Sequence, residues 1–279
     1  MQKITDWIKT YKLKDLKLSI PREHLLHIEL DRPEASNAFS MEMIESLCRV
    51  LMLADRDPDI RVMMLSGGGK NFCAGGDVQN MIEQSGMFGG DSVELMNKYR
   101  HGIQQIPKTM EEISTPVVAM VNGRAVGAGC DLACMCDLRV GSTHTQFAET
   151  FNQLGLVPGD GGTFFLTRLI GFSRAMQMFM TCEWVAGAKA YEYGLLNFML
   201  EGEDDKNKLL EKTIDVCLGL LQKDPTALAM TKKAMKISYL HDLHTSLDLL
   251  AAYQGMAQRT KGHLDRVESL AAKINIKKK

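Results

Sequence analysis

The stretch FAETFNQLGLVPGDGGTFF, Phe147 to Phe165, gathers Gly155, Pro158, Gly159, Gly161 and Gly162 around a single acid, Asp160. Glycines at this density can cradle a phosphate, turn a corner, or let the backbone come against a substrate, and a carboxyl group held there can move protons. Two further stretches are built alike, GGGKNFCAGGD at Gly67–Asp77 and NGRAVGAGCD at Asn122–Asp131. A phosphate loop requires G-x-x-x-x-G-K-[ST]. Here Lys70 is followed by Asn71, and Met64 stands at the first glycine position, so that reading fails. A dinucleotide fingerprint fails too, because Gly127-Ala128-Gly129 leads to Leu132 and Gly159-Asp160-Gly161 to Phe164 where a glycine is needed.

Glycine after a strand can also expose backbone N–H groups. Two amides from separate segments converging on one point form an oxyanion hole, and removing one such donor typically costs about 10²–10³ in rate. CAGGD and VGAGCD both follow buried-strand patterns and present only Ala and Gly where a substrate would approach. The second also opens a helix, whose positive end favours a developing anion. Tight packing of glycine turns explains the same spacing equally well, and both readings stay open on the residues alone.

These segments must be positioned by a chain of 279 residues, 45% hydrophobic and 24% charged, enough for one large domain or one with an appended subdomain. The net charge of −1 gives no argument for nucleic-acid binding. Seven scattered cysteines fit a reducing compartment, and Cys130, Cys134 and Cys136 read as buried thiols in an apolar run rather than a metal site. The opening MQKITDWIKTYKLKD lacks the apolar stretch of a secretory signal, and no window approaches the roughly 18 apolar residues of a membrane helix. A cytoplasmic protein without metal or membrane partner is the expectation, and the closing KINIKKK reads as a solvated basic tail.

Leu16–Ile20 and His24–Leu30 alternate as short strands, and Ser40 caps a helix carrying Met43, Ile44, Leu47, Val50 and Leu51 at helical spacing. RVMMLSG, PVVAMVNG and DLRVGS read as buried strands, and GAGCDLACMC as a buried helix. Val78 to about Pro107 reads as a mobile loop leading into a helix, with Met81 and Met87 available to an adaptable pocket. Strand, glycine turn and helix in repetition indicate α/β architecture over about residues 1–200. Beyond that, DKNKLLEKTIDVCLGLLQ, DPTALAMTKKAMKIS and DLHTSLDLLAAYQGMAQRT are helical, each starting near a capping Asp. Lys232 and Lys233 read as exposed helix lysines.

LDRPEASNAFS, NFCAGGDV, PVVAMVNGRAVGAGCDLACMCDLRV and FAETFNQLGLVPGDGGT follow in the order and at the spacing of the crotonase superfamily, the enoyl-CoA hydratases and isomerases. LTRLIGFSRAMQMFMTCEWVAGAKAYEYGLLN resembles that family's next segment, so the similarity runs from about Leu26 to Leu200. Four motifs in register are specific to the superfamily, though not to one reaction. The resemblance implies an α/β, crotonase-like spiral of ββα units over residues 1–200 and a C-terminal helical segment, 201–279, that supports homotrimers or dimers of trimers. It also implies an acyl-CoA thioester substrate, coenzyme A being part of that substrate and no separate cofactor being required. The thioester oxygen would sit between the amides of Ala74 and Ala128, with Ala35, Ser36, Gly75, Gly76, Asp77 and Val78 lining the adenine and pantetheine channel. Gly127, Phe151 and Gly159 would face the substrate.

The acids depart from the family pattern. Asp131 matches the first glutamate of the classical hydratases with a side chain one methylene shorter, and Phe151 occupies the position of the second. Asp160 is the nearby substitute, and Glu149, two residues before Phe151, would share its face on a strand. The acidic-basic-proline signature at the family's C-terminus is missing. The leading expectation is a hydratase that divides water activation and α-proton delivery between Asp131 and Asp160, with Glu149 in reserve. The alternatives are a double-bond isomerase with a single proton shuttle, a non-catalytic acyl-CoA binder, or thioester hydrolysis or C–C cleavage.

Overall fold

The computed structural model describes residues 13–202 and 205–274; most of the opening segment and the last residues of the basic tail lie outside them. Strands β1 (Leu16–Arg22) and β2 (Leu25–Leu30) form an antiparallel hairpin. Helix α1 (Met41–Asp55) follows, where Ser40 Oγ accepts the Met43 N–H at 2.9 Å as the N-cap. Its apolar stripe of Met43, Leu47, Val50 and Leu51 is fully buried, which is what the helical spacing requires.

Strands β3 (Val62–Gly67), β4 (Val117–Met120), β6 (Leu138–Ser142) and β9 (Phe198–Leu200) add to β2 in parallel, in the sheet order β1-β2-β3-β4-β6-β9. A smaller sheet joins β5 (Arg124–Val126), β7 (Gln146–Ala148) and β8 (Val185–Ala186). Thus β4, β5 and helix α5 (Ala128–Met135) form one ββα unit, and β6 and β7 lead through a 3₁₀ turn to α6 (Gly162–Ile170) in the next. Both faces of the parallel sheet are covered, which explains why β3 and β4 are apolar without alternation. Behind the sheet, Val62, Met64, Val118 and Val140 meet Leu209, Ile214 and Cys217 of α9 (Lys206–Leu221).

The span read as a loop is largely helical. It holds α2 (Val78–Ile82), a 3₁₀ turn at Gly86–Phe88, α3 (Ser92–His101) and the start of α4 (Gln105–Glu112). Asp77 caps α2, and Asp91 with Glu94 forms a complete capping box on α3. The polar composition hid these caps, because α3 buries no residue fully and so lacks a clear apolar stripe. Helices α7 (Phe172–Thr181) and α8 (Gly187–Tyr193) complete the part before β9, and α10 (Pro225–Leu240), α11 (Leu243–Ala257) and α12 (Lys261–Lys273) follow α9. As expected, Asp205, Asp224 and Asp242 accept first-turn N–H groups of α9, α10 and α11. Lys232 is a correction. Its side chain is buried, donates to Thr115 O at 3.0 Å and pairs with Asp137 at 2.7 Å.

All seven cysteines are buried free thiols. Among the described residues no helix is long and apolar enough to cross a membrane. Arg139 of β6 is 2% exposed and ties β6 to the segment before β9, donating to Cys136 O, Leu195 O and Asn197 Oδ1. Arg139→Leu would strip the Cys136 and Leu195 carbonyl groups of this donor, and a loss of about 3 kcal/mol is expected in urea unfolding.

Candidate active site

The site is built where two chain segments cross. Phe72 and Cys73 N–H donate to Arg124 O at 2.9 and 3.1 Å, and Val126 N–H donates to Cys73 O at 3.0 Å. This lays residues 72–76 along 124–129. Gly75 has a φ of +81°, and a Cβ there would meet Val126 O at 2.5 Å and Ala128 N at 3.0 Å, so the approach requires glycine. Past the crossing, Gly76 and Ala128 border a cleft of ≈ 230 Å³.

The amide expectation needs one correction. The Ala74 N–H donates to Ser36 O at 2.9 Å, so it is engaged inside the protein even though Ala74 lines the cleft. The Gly76 and Ala128 N–H groups make no hydrogen bond among the described residues. Ala128 is the first residue of α5, whose leading N–H groups have no intrahelical partner. Gly76 and Ala128 therefore border the cleft with N–H groups that no acceptor among the described residues engages.

The other expected residues divide. Val78, Gly127 and Phe151 line the cleft. Ala35, Ser36, Gly75, Asp77 and Gly159 stand outside its wall. The Asp77 carboxylate caps α2 and pairs with Arg32 at 3.0 Å, and Gly159 lies behind the Tyr99 ring, its carbonyl accepting from Gln104 Nε2 at 2.7 Å. Met81 and Met87 do line the wall, joined by Phe88, Tyr99 and Ile103, which the loop reading concealed. The capping box before Tyr99 and the four-residue step to Ile103 were the available signals.

Asp131 on α5, Glu149 just after β7 and Asp160 just before the α6 N-cap come together, all at 4% exposure or less. Of the three only Asp160 borders the cleft. Asp131 lies behind it, its carboxyl group packed so closely on Gly162 that a Cβ there would collide with Oδ1. Glu149 does not share the face of Phe151, because β7 ends at Ala148 and the chain turns into 3₁₀ structure at Phe151–Leu154. That turn sends Phe151 to the cleft and Glu149 inward.

Burial raises all three carboxyl groups. Asp131 is pushed well above the usual carboxylate range by desolvation, then by the charges of Glu149 and Asp160. Desolvation, then Cys134, does the same for Glu149. Asp160 rises through desolvation, opposed by interaction with Asp131 and with its own backbone N–H. Tyr99 is raised by burial and by the Asp160 charge. The site can therefore hold protons at pH values where free carboxylates are ionised.

A carboxyl group raised on folding keeps its proton when the unfolded chain has lost it. Its contribution is complete below the unfolded pKa and is lost as pH rises through the folded one. Glu149→Gln removes this dependence, so its stability relative to the parent should grow as pH rises from the ordinary carboxylate range through neutrality. Urea unfolding of both proteins across that range checks this, and a pH-independent difference would contradict it.

A family model described as enoyl-CoA hydratase/isomerase matches residues 22–275. A 1,2-epoxyphenylacetyl-CoA isomerase of Escherichia coli is 30% identical over 92% of this chain and 95% of its own length. A short-chain-enoyl-CoA hydratase of Clostridium acetobutylicum is 28% identical over 89% of this chain and 92% of its own. The crystal structure of an enoyl-CoA hydratase from Bacillus anthracis, 29% identical, aligns with a TM-score of 0.83 over 93% of this chain and 97% of that one. With the crossing, its glycines and the ββα units in place, the chain belongs to the enoyl-CoA hydratase/isomerase family of the crotonase superfamily.

Proposed function

We propose that the protein is an enoyl-CoA isomerase that moves a double bond along the acyl chain of a coenzyme A thioester. The observation that carries this reading is that Asp160 alone among the buried acids borders the cleft, while Phe151 fills the position of the second family glutamate. Hydration divides water activation and proton delivery between two groups, whereas isomerisation needs one. The Asp160 carboxylate removes a proton from Cα of a 3-enoyl thioester. The bond electrons shift into a dienolate whose oxygen accepts from the Gly76 and Ala128 amides, and the same proton returns at Cγ to give the 2-enoyl product. The apolar wall of Met81, Phe88, Tyr99 and Ile103 receives the acyl chain and keeps competing water away.

The same reading assembles the chain as a homotrimer or a dimer of trimers through its C-terminal helices. Leu243, Leu247 and Met256 on α11 and Leu264 and Leu270 on α12 are exposed on the single chain, as residues awaiting a partner surface would be. Seven unpaired thiols support a reducing, cytoplasmic setting.

Asp160→Asn should lower conversion of a 3-enoyl-CoA to the 2-enoyl-CoA by about 10²–10⁴-fold. Parallel assay with crotonyl-CoA and water decides against hydration; turnover of crotonyl-CoA without isomerisation would overturn the proposal in favour of a hydratase. Acyl-CoA binding without either turnover, unaltered by Asp160→Asn, would make the protein a non-catalytic binder.

A further inference from the structure

Both oxygens of Asp131, both of Glu149 and Oδ1 of Asp160 are buried and have no hydrogen-bond partner among the described residues. No ion pair reaches any of the three among those residues either. A carboxylate only accepts, so these oxygens lack donors, and burying three such charges together without a cation would be prohibitive. Protons supply what is missing, because each neutral carboxyl group gains an O–H that can be donated to a neighbour. The question is which group goes without one.

The surroundings of each acid answer it. Asp131 interacts with both of the others. It faces Glu149 beyond the end of β7 and the Asp160–Gly162 turn into α6, with Cys130 and Cys134 beside it on its own helix. Glu149 interacts with Cys134, Cys130, Asp131 and Asp160. Asp160 is faced by Asp131, by Tyr99 from α3 and by Cys73 from the crossing. It alone touches the cleft, and it sits at the positive end of α6.

We infer that Asp131 is held as the neutral acid and donates its proton in a hydrogen bond to the Asp160 carboxylate, acting as a positioning residue that makes Asp160 the ionised base. Glu149 stays neutral behind it. The residue aligned with the family's first catalytic glutamate thus prepares the base without meeting the substrate. This rests on the isomerase reading for the role of Asp160, but the location of the Asp131 proton can be measured without any substrate.

The rising limb of kcat/KM against pH for 3-enoyl-CoA isomerisation reports ionisation of Asp160. Asp131→Asn keeps a neutral donor and should leave the midpoint of that limb in place. Asp131→Ala removes the donor and should move the midpoint up by about one pH unit, about a tenfold drop in rate on that limb. If Asp131 were ionised, either substitution would delete a neighbouring negative charge and move the midpoint down, which would overturn the inference. Infrared difference spectra of the folded protein near neutral pH supply the second readout. The parent should show the C=O stretch of a protonated carboxyl group that is lost in Asp131→Asn, and its absence from the parent would equally refute the inference. Full isomerase activity in Asp160→Asn with that band intact would sink the base assignment and leave the neutral Asp131 standing.

Discussion

The close approach of residues 72–76 to residues 124–129 is the constraint on which the site depends. Three backbone hydrogen bonds hold the segments together, and Gly75 and Gly129 allow distances that any Cβ would forbid. A side chain at Gly129 would meet the carbonyl group of Cys73, just as one at Gly75 would meet Val126 O and Ala128 N. The crossing brings the start of α5 and the turn before α2 to the same cleft, so two N–H groups from distant parts of the chain become available there. A helix start has free donors by construction; the crossing places a second donor beside it.

Against that fixed backbone, the polar chemistry is unusually internal. Three acids meet in a region walled by Cys130, Cys134, Tyr99 and Gly162. Such a cluster opposes folding at alkaline pH, since each group must stay protonated or bear a poorly solvated charge. Proteins retain buried, underpaired polar groups mainly where function uses them. Here desolvation raises the proton affinity of the carboxyl group at the cleft, opposed by its interaction with Asp131.

The apolar half of the cleft comes from a different source. The chain from α2 to the turn after α3 supplies Met81, Met87, Phe88, Tyr99 and Ile103, and none of this segment belongs to the two sheets. The sheets and the crossing form the frame that brings Gly76 and Ala128 to the cleft, while this helical insertion and the Phe151 turn supply its apolar wall. The 3₁₀ turn after β7 brings the Phe151 ring to the cleft wall, where Asp160 is the one acid among the lining residues.

Much could be read from residue order alone, because it depends on neighbours close in the chain. Ser40, Asp205, Asp224 and Asp242 cap their helices through N–H groups two or three residues away. The buried strands β3 and β4 announce themselves as unbroken apolar runs, and the glycine motifs mark their turns. The folded arrangement settled everything that depends on distant partners. The resemblance names Ala74 as a donor, but the carbonyl group of Ser36, remote in sequence, accepts from it and leaves Gly76 without an acceptor among the described residues. Residue order divides the proton work between Asp131 and Asp160 with Glu149 in reserve, until packing leaves Asp160 at the cleft and closes the others off from it. Hydrogen-bond allocation and desolvation are properties of the surroundings, and for these residues the surroundings are assembled from segments far apart in the chain.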